Sequence, residues 1–139
     1  MTAPTLSSRT PDHLTTTILI VEDDPILRFT LAMDLNDAGF AVREAASTDE
    51  AETVLGTGAP IDLIVTDIEM PGARNGLDLA KAVRAFHPDI RSIVVSGRVP
   101  PADIVGVADA FFGKPYDTSR LILRIRSLLA PRRHTAGKT

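Results

Sequence analysis

The stretch Thr17-Ile18-Leu19-Ile20-Val21-Glu22-Asp23-Asp24-Pro25 decides how this chain folds. Ile18 to Val21 form an uninterrupted apolar run that reads as a strand, and the run stops at three acids. Asp24 followed by Pro25 reads as a helix N-cap and the first helical position. The same design recurs further along. Ile61–Thr66 stops at Asp67, and Ala110–Gly113 stops at Lys114-Pro115. Strands that alternate with helices imply crossover connections and a parallel sheet. In such a sheet the carboxyl ends share one edge, so several acids and one lysine converge there. Carboxylates packed that closely repel one another, and one must take up a proton unless a cation joins them. A site of that kind is built to hold a metal and a phosphoryl group.

The rest of the composition narrows the choice. A chain of 139 residues is one domain, long enough for a single well-buried core. Its 44% hydrophobic and 24% charged residues are those of a soluble globular protein. A net charge of −3 argues against a dedicated nucleic-acid binder, whose affinity rests on neutralising phosphates. Without cysteine there are no disulfides, thiolate metal sites or cysteine nucleophiles. No apolar stretch approaches the roughly 20 residues that span a bilayer, and the N-terminus has no secretory pattern. The expected location is cytoplasmic.

Residues 1–16, rich in Thr, Ser and Pro, read as a disordered leader; 17–130 read as the folded domain and 131–139 as a flexible polar tail. After the first strand, Leu27, Leu31, Leu35 and Ala38 recur at helical spacing until Gly39 ends the helix, with Phe40 placed for the apolar contact that follows such a cap. Ala41–Ala45 is a second strand. A second helix starts at Ser47, with Glu50 completing a capping box, and runs to Leu55. Strand three is Ile61–Thr66, helix three Leu77–Phe86 and strand four Ser92–Ser96. Pro100-Pro101 leaves room for only a short fourth helix, about Ala102–Val107. Strand five is Ala110–Phe112, and a fifth helix, about Thr118–Leu129, buries Leu121, Ile125 and Leu128. The expected fold is therefore α/β: a flavodoxin-like, doubly wound, five-stranded parallel sheet in the order 2-1-3-4-5, with its ligand crevice at the strands' carboxyl ends.

Hard divalent cations prefer oxygen ligands, and Glu22 or Asp23 together with Asp67 can supply a carboxylate pair. Asp24 is assigned to the helix cap instead. Asp67 is the natural nucleophile, since a carboxylate can form an aspartyl-phosphate. Lys114 would balance phosphoryl charge or pair with the same acids, and a cis Lys114-Pro115 bond would fix where it points. Ser96 offers a hydroxyl to a phosphoryl oxygen, and Gly97 leaves room beside it. Asp62, at the opposite end of strand three, reads as solvated. His13, His87 and His134 have no partners at ligand spacing, so no zinc site is expected.

Four segments in this order, ILIVEDD (Ile18–Asp24), TDIEMPG (Thr66–Gly72), VVSG (Val94–Gly97) and FFGKP (Phe111–Pro115), together resemble the receiver domain of bacterial two-component response regulators, stand-alone members above all. The resemblance covers about Thr17 to Leu129. It implies that Asp67 accepts a phosphoryl group from a histidine kinase or a histidine phosphotransfer protein, with Mg²⁺ as cofactor. Asp23 would meet the metal directly, Glu22 through water, and the Glu69 backbone carbonyl would complete the protein's share of its shell. Ser96 would be the switch hydroxyl and Phe111 the switch aromatic, their movement remodelling the face around strands four and five. The domain would be a phosphoacceptor that assists its own phosphorylation and dephosphorylation rather than an enzyme. Its output would lie in trans, in a protein target or a homodimer, with no DNA or membrane contact.

Three departures from the family pattern stand out. The segment Pro71–Gly76 is one residue longer than usual, the path from Ser96 to Phe111 is several residues shorter, and the switch aromatic is Phe rather than Tyr. The altered path keeps open a phosphorylation-independent interaction module. An aspartyl-nucleophile phosphatase is more remote, because Glu69 stands where a second Asp is needed. A flavin or nucleotide binder lacks a Gly-rich loop after strand one. Glu69 and Arg98 are expected to flank the mouth of the site and to pair across it.

Overall fold

The computed structural model describes residues 15–72, 74–98, 102 and 104–131. All of the expected leader except Thr15 and Thr16, and all of the tail except Pro131, fall outside the described residues, as do Pro100-Pro101, His13 and His134. Five parallel strands, β1 (Thr17–Val21), β2 (Ala41–Ala45), β3 (Leu63–Asp67), β4 (Arg91–Ser96) and β5 (Ala110–Gly113), lie in the order β2-β1-β3-β4-β5. The helices are α1 (Pro25–Asp37), α2 (Thr48–Gly56), α3 (Gly76–Phe86) and α4 (Thr118–Leu129). This is the doubly wound arrangement read from the sequence.

Strand alternation divides the core between the two faces of the sheet. Ile18, Ile20, Leu63, Val65, Ile93 and Val95 point to one face, where Leu31 and Leu35 of α1 meet Leu121 and Ile125 of α4. Leu19, Val21 and Ile64 point to the other, against Ala51 and Leu55 of α2 and Leu79 and Val83 of α3. Burying each such aliphatic side chain contributes roughly 1.5–3 kcal/mol before the entropy of ordering it is counted.

The caps explain the element boundaries. Asp24 accepts the N–H groups of Ile26 and Leu27 and starts α1 as expected. At the other end Gly39, at φ 101°, takes the left-handed conformation; its N–H bonds Asn36 and the Phe40 N–H bonds Leu35, closing a Schellman motif. Arg126 of α4 donates to the Ala38 carbonyl at 2.9 Å and lies over the Phe40 ring, so the last helix also caps the first.

The structure differs from the sequence reading at several points, among them a β4 that begins at Arg91 and a Leu128 that is only half-buried. Among the described residues between β4 and β5 there is no α-helix, only one 3₁₀ turn, Ile104–Gly106. Its Ile104 and Val107 still pack against Ala80 and Val94, so the shortened segment keeps the apolar contacts of the expected helix. β3 begins at Leu63 because Asp62 turns outward, where its carboxylate accepts the Thr17 N–H at 2.8 Å. Glu50 closes its capping arrangement on the Ala46 N–H, not that of Ser47. Finally, α3 starts at Gly76, with Asn75 and Asp78 forming a reciprocal box.

Candidate functional site

Register brings the charged residues together. Val21 lies beside Thr66 and Asp67 beside Val95, so the next residue of β1, Glu22, comes level with Asp67. Ser96 pairs with Gly113, and the Lys114 N–H bonds the Ser96 carbonyl at 2.8 Å, which delivers Lys114 to the same edge. The Lys114-Pro115 peptide is cis. Arg28 of α1 holds the acid segment by its backbone, donating to the Glu22 carbonyl at 2.7 Å and pairing with Glu44 of β2.

Lys114 Nζ sits 2.5 Å from Asp67 Oδ2 and 3.3 Å from Glu22 Oε1. Asp67 is buried at 5% exposure and Glu22 at 9%, so this ammonium is the cation that makes two enclosed acids tolerable. Burial by itself would lower the Lys114 pKa, but the hydrogen bond and charge of Asp67, followed by those of Glu22, outweigh it and raise the value. Glu22 is raised mainly by burial and further by Asp67, against the opposing effects of the Asp24 N–H and Lys114. The Asp67 charge therefore works against ionisation of Glu22, the repulsion expected of crowded carboxylates.

Glu22, Asp23 and Asp67 each offer a carboxylate oxygen, all within 4.8 Å of one another. An all-oxygen set of that charge, with one exposed member, fits a hard divalent cation that keeps several waters. Beside it, between α1 and the loop before α4, a cleft of about 410 Å³ is lined by Leu27, Leu31, Val65 and Tyr116, with Glu22, Asp67 and Lys114 also on its wall.

Ser96, expected as the switch hydroxyl, is 1% exposed and lies on the same edge. Its hydroxyl donates to Glu69 Oε2, and the Gly97 N–H donates to Glu69 Oε1 at 3.1 Å. The expected pairing of Glu69 with Arg98 is not formed, because Ser96 and Gly97 occupy the Glu69 carboxylate; the Arg98 N–H instead donates to Ser96 Oγ at 3.0 Å. Phe111 is half-buried against the apolar cluster that holds Ile68, Ala80 and Val94.

Two site features escape the sequence reading. The Glu69 side chain was expected to meet Arg98, and its reach to Ser96 and Gly97 was not foreseen, although its length, two residues after Asp67, is the signal that it can reach the neighbouring strand. Gly76 is the other. A Cβ there would lie 1.8 Å from the Asp67 carbonyl oxygen and 2.8 Å from Thr66 Oγ1, while the Gly76 N–H bonds the Ile68 carbonyl. Gly76, at the end of this loop, thus lies directly against the Asp67 backbone, and only glycine permits that approach. A salt bridge from Arg74 to Glu52 of α2 ties this loop to the body.

Known proteins share this arrangement. The chain is 33% identical over 125 residues to the transcriptional regulatory protein AruR of Pseudomonas aeruginosa, covering 84% of this chain and 50% of that protein. It is 36% identical over 118 residues to the sensor kinase CckA of Brucella abortus, covering 81% of this chain and 12% of that one. The chain thus spans half the length of one curated relative and a small part of the other. A receiver protein from Sinorhizobium medicae superposes with a TM-score of 0.77 at 32% identity, covering 85% of this chain and 97% of its own. The response regulator TrrA from Thermotoga maritima, determined in complex with Mg²⁺-BeF, gives a TM-score of 0.76 at 27% identity over 83% of this chain and all of that one. Residues 18–126 match the family model of the response regulator receiver domain, which spans every strand and the whole acid-lined edge. With sheet order, strand-end acids and sequence match in agreement, the chain belongs to the response regulator receiver family.

Proposed function

We propose that Asp67 is the phosphoacceptor of this receiver and takes a phosphoryl group from a histidine kinase or a phosphotransfer protein. The observation that carries the reading is the Asp67 carboxylate held between Lys114 and two further acids, at the mouth of an open cleft. An Asp67 oxygen forms the new bond to phosphorus as the bond to the donor's imidazole nitrogen breaks, and the electron pair leaves with the imidazole. Lys114, already 2.5 Å from Asp67, moves from balancing a carboxylate to balancing phosphoryl oxygens. Glu22, Asp23, Asp67 and the Glu69 carbonyl would hold Mg²⁺, which supplies charge neutralisation at the transferring group. The relative crystallised with Mg²⁺-BeF supports this choice of cation.

Ile26, Phe29 and Met33, at helical spacing on α1, are 74%, 59% and 49% exposed. They provide an apolar surface beside the acceptor on which a donor protein can dock. Ser96 and Phe111 then transmit the modification to a protein-interaction face. Action in trans, as a domain of this kind working alone in the cytoplasm, is part of the proposal. Among the described residues no helix is long and apolar enough to cross a membrane. The expected lack of DNA binding finds no support in AruR, which is named a transcriptional regulator.

Incubation with acetyl phosphate and Mg²⁺, read by intact mass and native sizing, tests the reading. A phosphoryl adduct absent from Asp67→Ala supports it, and a shift in size on modification identifies a homodimer. No adduct with any phosphodonor favours a phosphorylation-independent interaction module.

A further inference from the structure

The Glu69 side chain bridges the acceptor strand and the readout strand. The Glu69 backbone N–H donates to Asp67 Oδ1 at 3.1 Å, while the side-chain carboxylate reaches β4 and takes both the Ser96 hydroxyl and the Gly97 N–H. A serine hydroxyl has one hydrogen to give. While that hydrogen is held by Glu69, it is withheld from a phosphoryl oxygen on Asp67. Ser96 is almost wholly enclosed, so water does not stand in as an alternative partner.

We infer that the Glu69 carboxylate is a latch: a competing acceptor that holds Ser96 in the unmodified state, whose release is coupled to phosphoryl uptake at Asp67. The inference rests on Asp67 being the acceptor and names what regulates the readout of that site. A hydrogen bond to an ionised acceptor is about twice as strong as a neutral one, so the latch is a real opponent for the switch. The phosphoryl group overcomes it in two ways. It presents its own charged acceptors to Ser96, and its negative charge repels the carboxylate two residues away. The protein then moves between two hydrogen-bonded arrangements, Ser96 to Glu69 and Ser96 to phosphoryl oxygen, with a population set by their difference. Glu69 is a positioning residue here, acting on the reaction through Ser96.

The test is a double-mutant cycle on beryllofluoride affinity in excess Mg²⁺, with the wild type, Glu69→Ala, Ser96→Ala and the double variant. Loss of a competing charged hydrogen bond should tighten binding about tenfold in Glu69→Ala. In the Ser96→Ala background the same change should alter affinity by less than about twofold, because no hydroxyl is left to compete for. An equal gain in both backgrounds means that Glu69 acts by charge alone, and overturns the latch; no gain in either overturns it too. Amide exchange at Gly97 in the unmodified, metal-free protein supplies a readout without a phosphoryl mimic. It should be protected in the wild type and exchange faster in Glu69→Ala. Exchange that Glu69→Ala fails to accelerate refutes the latch itself. A wild type that binds no beryllofluoride refutes the acceptor assignment and, with it, the coupled release.

Discussion

The two halves of the sheet's functional edge are held in different ways. On the β1–β3 half, backbone contacts that have no slack fix the acids. The Glu22 carbonyl is gripped by Arg28, Glu22 N–H bonds the Ala45 carbonyl at 3.0 Å, and Gly76 lies against the Asp67 carbonyl. On the β4–β5 half, the described residues between the strands form one 3₁₀ turn and no α-helix, Phe111 is half-buried, and Ser96 is held by a side chain. Side-chain hydrogen bonds can be exchanged at small net cost, whereas packed backbone cannot shift without disturbing the core. The difference is what the proposed roles require, with the proposed acceptor on the rigid half and the proposed readout on the exchangeable one.

Substitutions on the rigid half should be the most disruptive. Gly76→Ala places a methyl group into the Asp67 backbone and should cost about 3 kcal/mol or more in urea unfolding. A near-neutral result would mean that the loop lifts away easily and the half is not rigid. Lys114→Ala leaves Glu22 and Asp67 without their cation. Breaking a fully buried pair costs roughly 3–5 kcal/mol; Lys114 keeps 27% side-chain exposure, so about 2 kcal/mol is expected here. Mg²⁺ should recover more stability in this variant than in the wild type.

On the exchangeable half the costs should be smaller and local. Asp109 accepts the Ser92 N–H at 2.9 Å and pairs with Arg84, whose Nε holds the Val107 carbonyl. Asp109→Ala should cost about 1 kcal/mol and speed amide exchange around Ile104–Ala108, leaving β1 and β3 protected. Loss of protection across the whole sheet would show that the two halves are one unit.

The smallest effect concerns Glu22. Its folded pKa is raised, mainly by burial, so its contribution to stability is full below its ordinary value of 4.5 and is lost as pH rises through the folded value. In metal-free buffer Glu22→Gln should flatten the decline in stability that this group causes as pH rises above its ordinary value of 4.5. A steeper decline in the variant would reverse the sign assigned to burial.

The rigid half was also the more legible one. Ile18–Val21 running into Glu22, Asp23 and Asp24 specifies a strand end, an acid cluster and a helix cap at once, and the structure shows that strand and cap where they were expected. What was hidden there depends on distance across the fold: nothing local to Gly76 tells that its Cα passes over Asp67. The other half was less legible for a related reason. Pro100-Pro101 warned of a shortened helix, but a few apolar residues, Ile104 and Val107, satisfy the sheet equally well from a single 3₁₀ turn. Glu69 could be placed near the mouth from its spacing, whereas its partner depended on which group, the Arg98 guanidinium or the Ser96 hydroxyl, came closer in three dimensions.

The most direct test of this division is residue-resolved amide spectroscopy of the protein with Mg²⁺, before and after beryllofluoride. Beyond the site residues themselves, the shifts should concentrate between Ser96 and Gly113, with Ile18–Val21 and Leu63–Thr66 nearly unchanged. Shifts spread evenly over all five strands, or confined to Glu22, Asp23 and Asp67 with Ser96 and Phe111 unmoved, would contradict it.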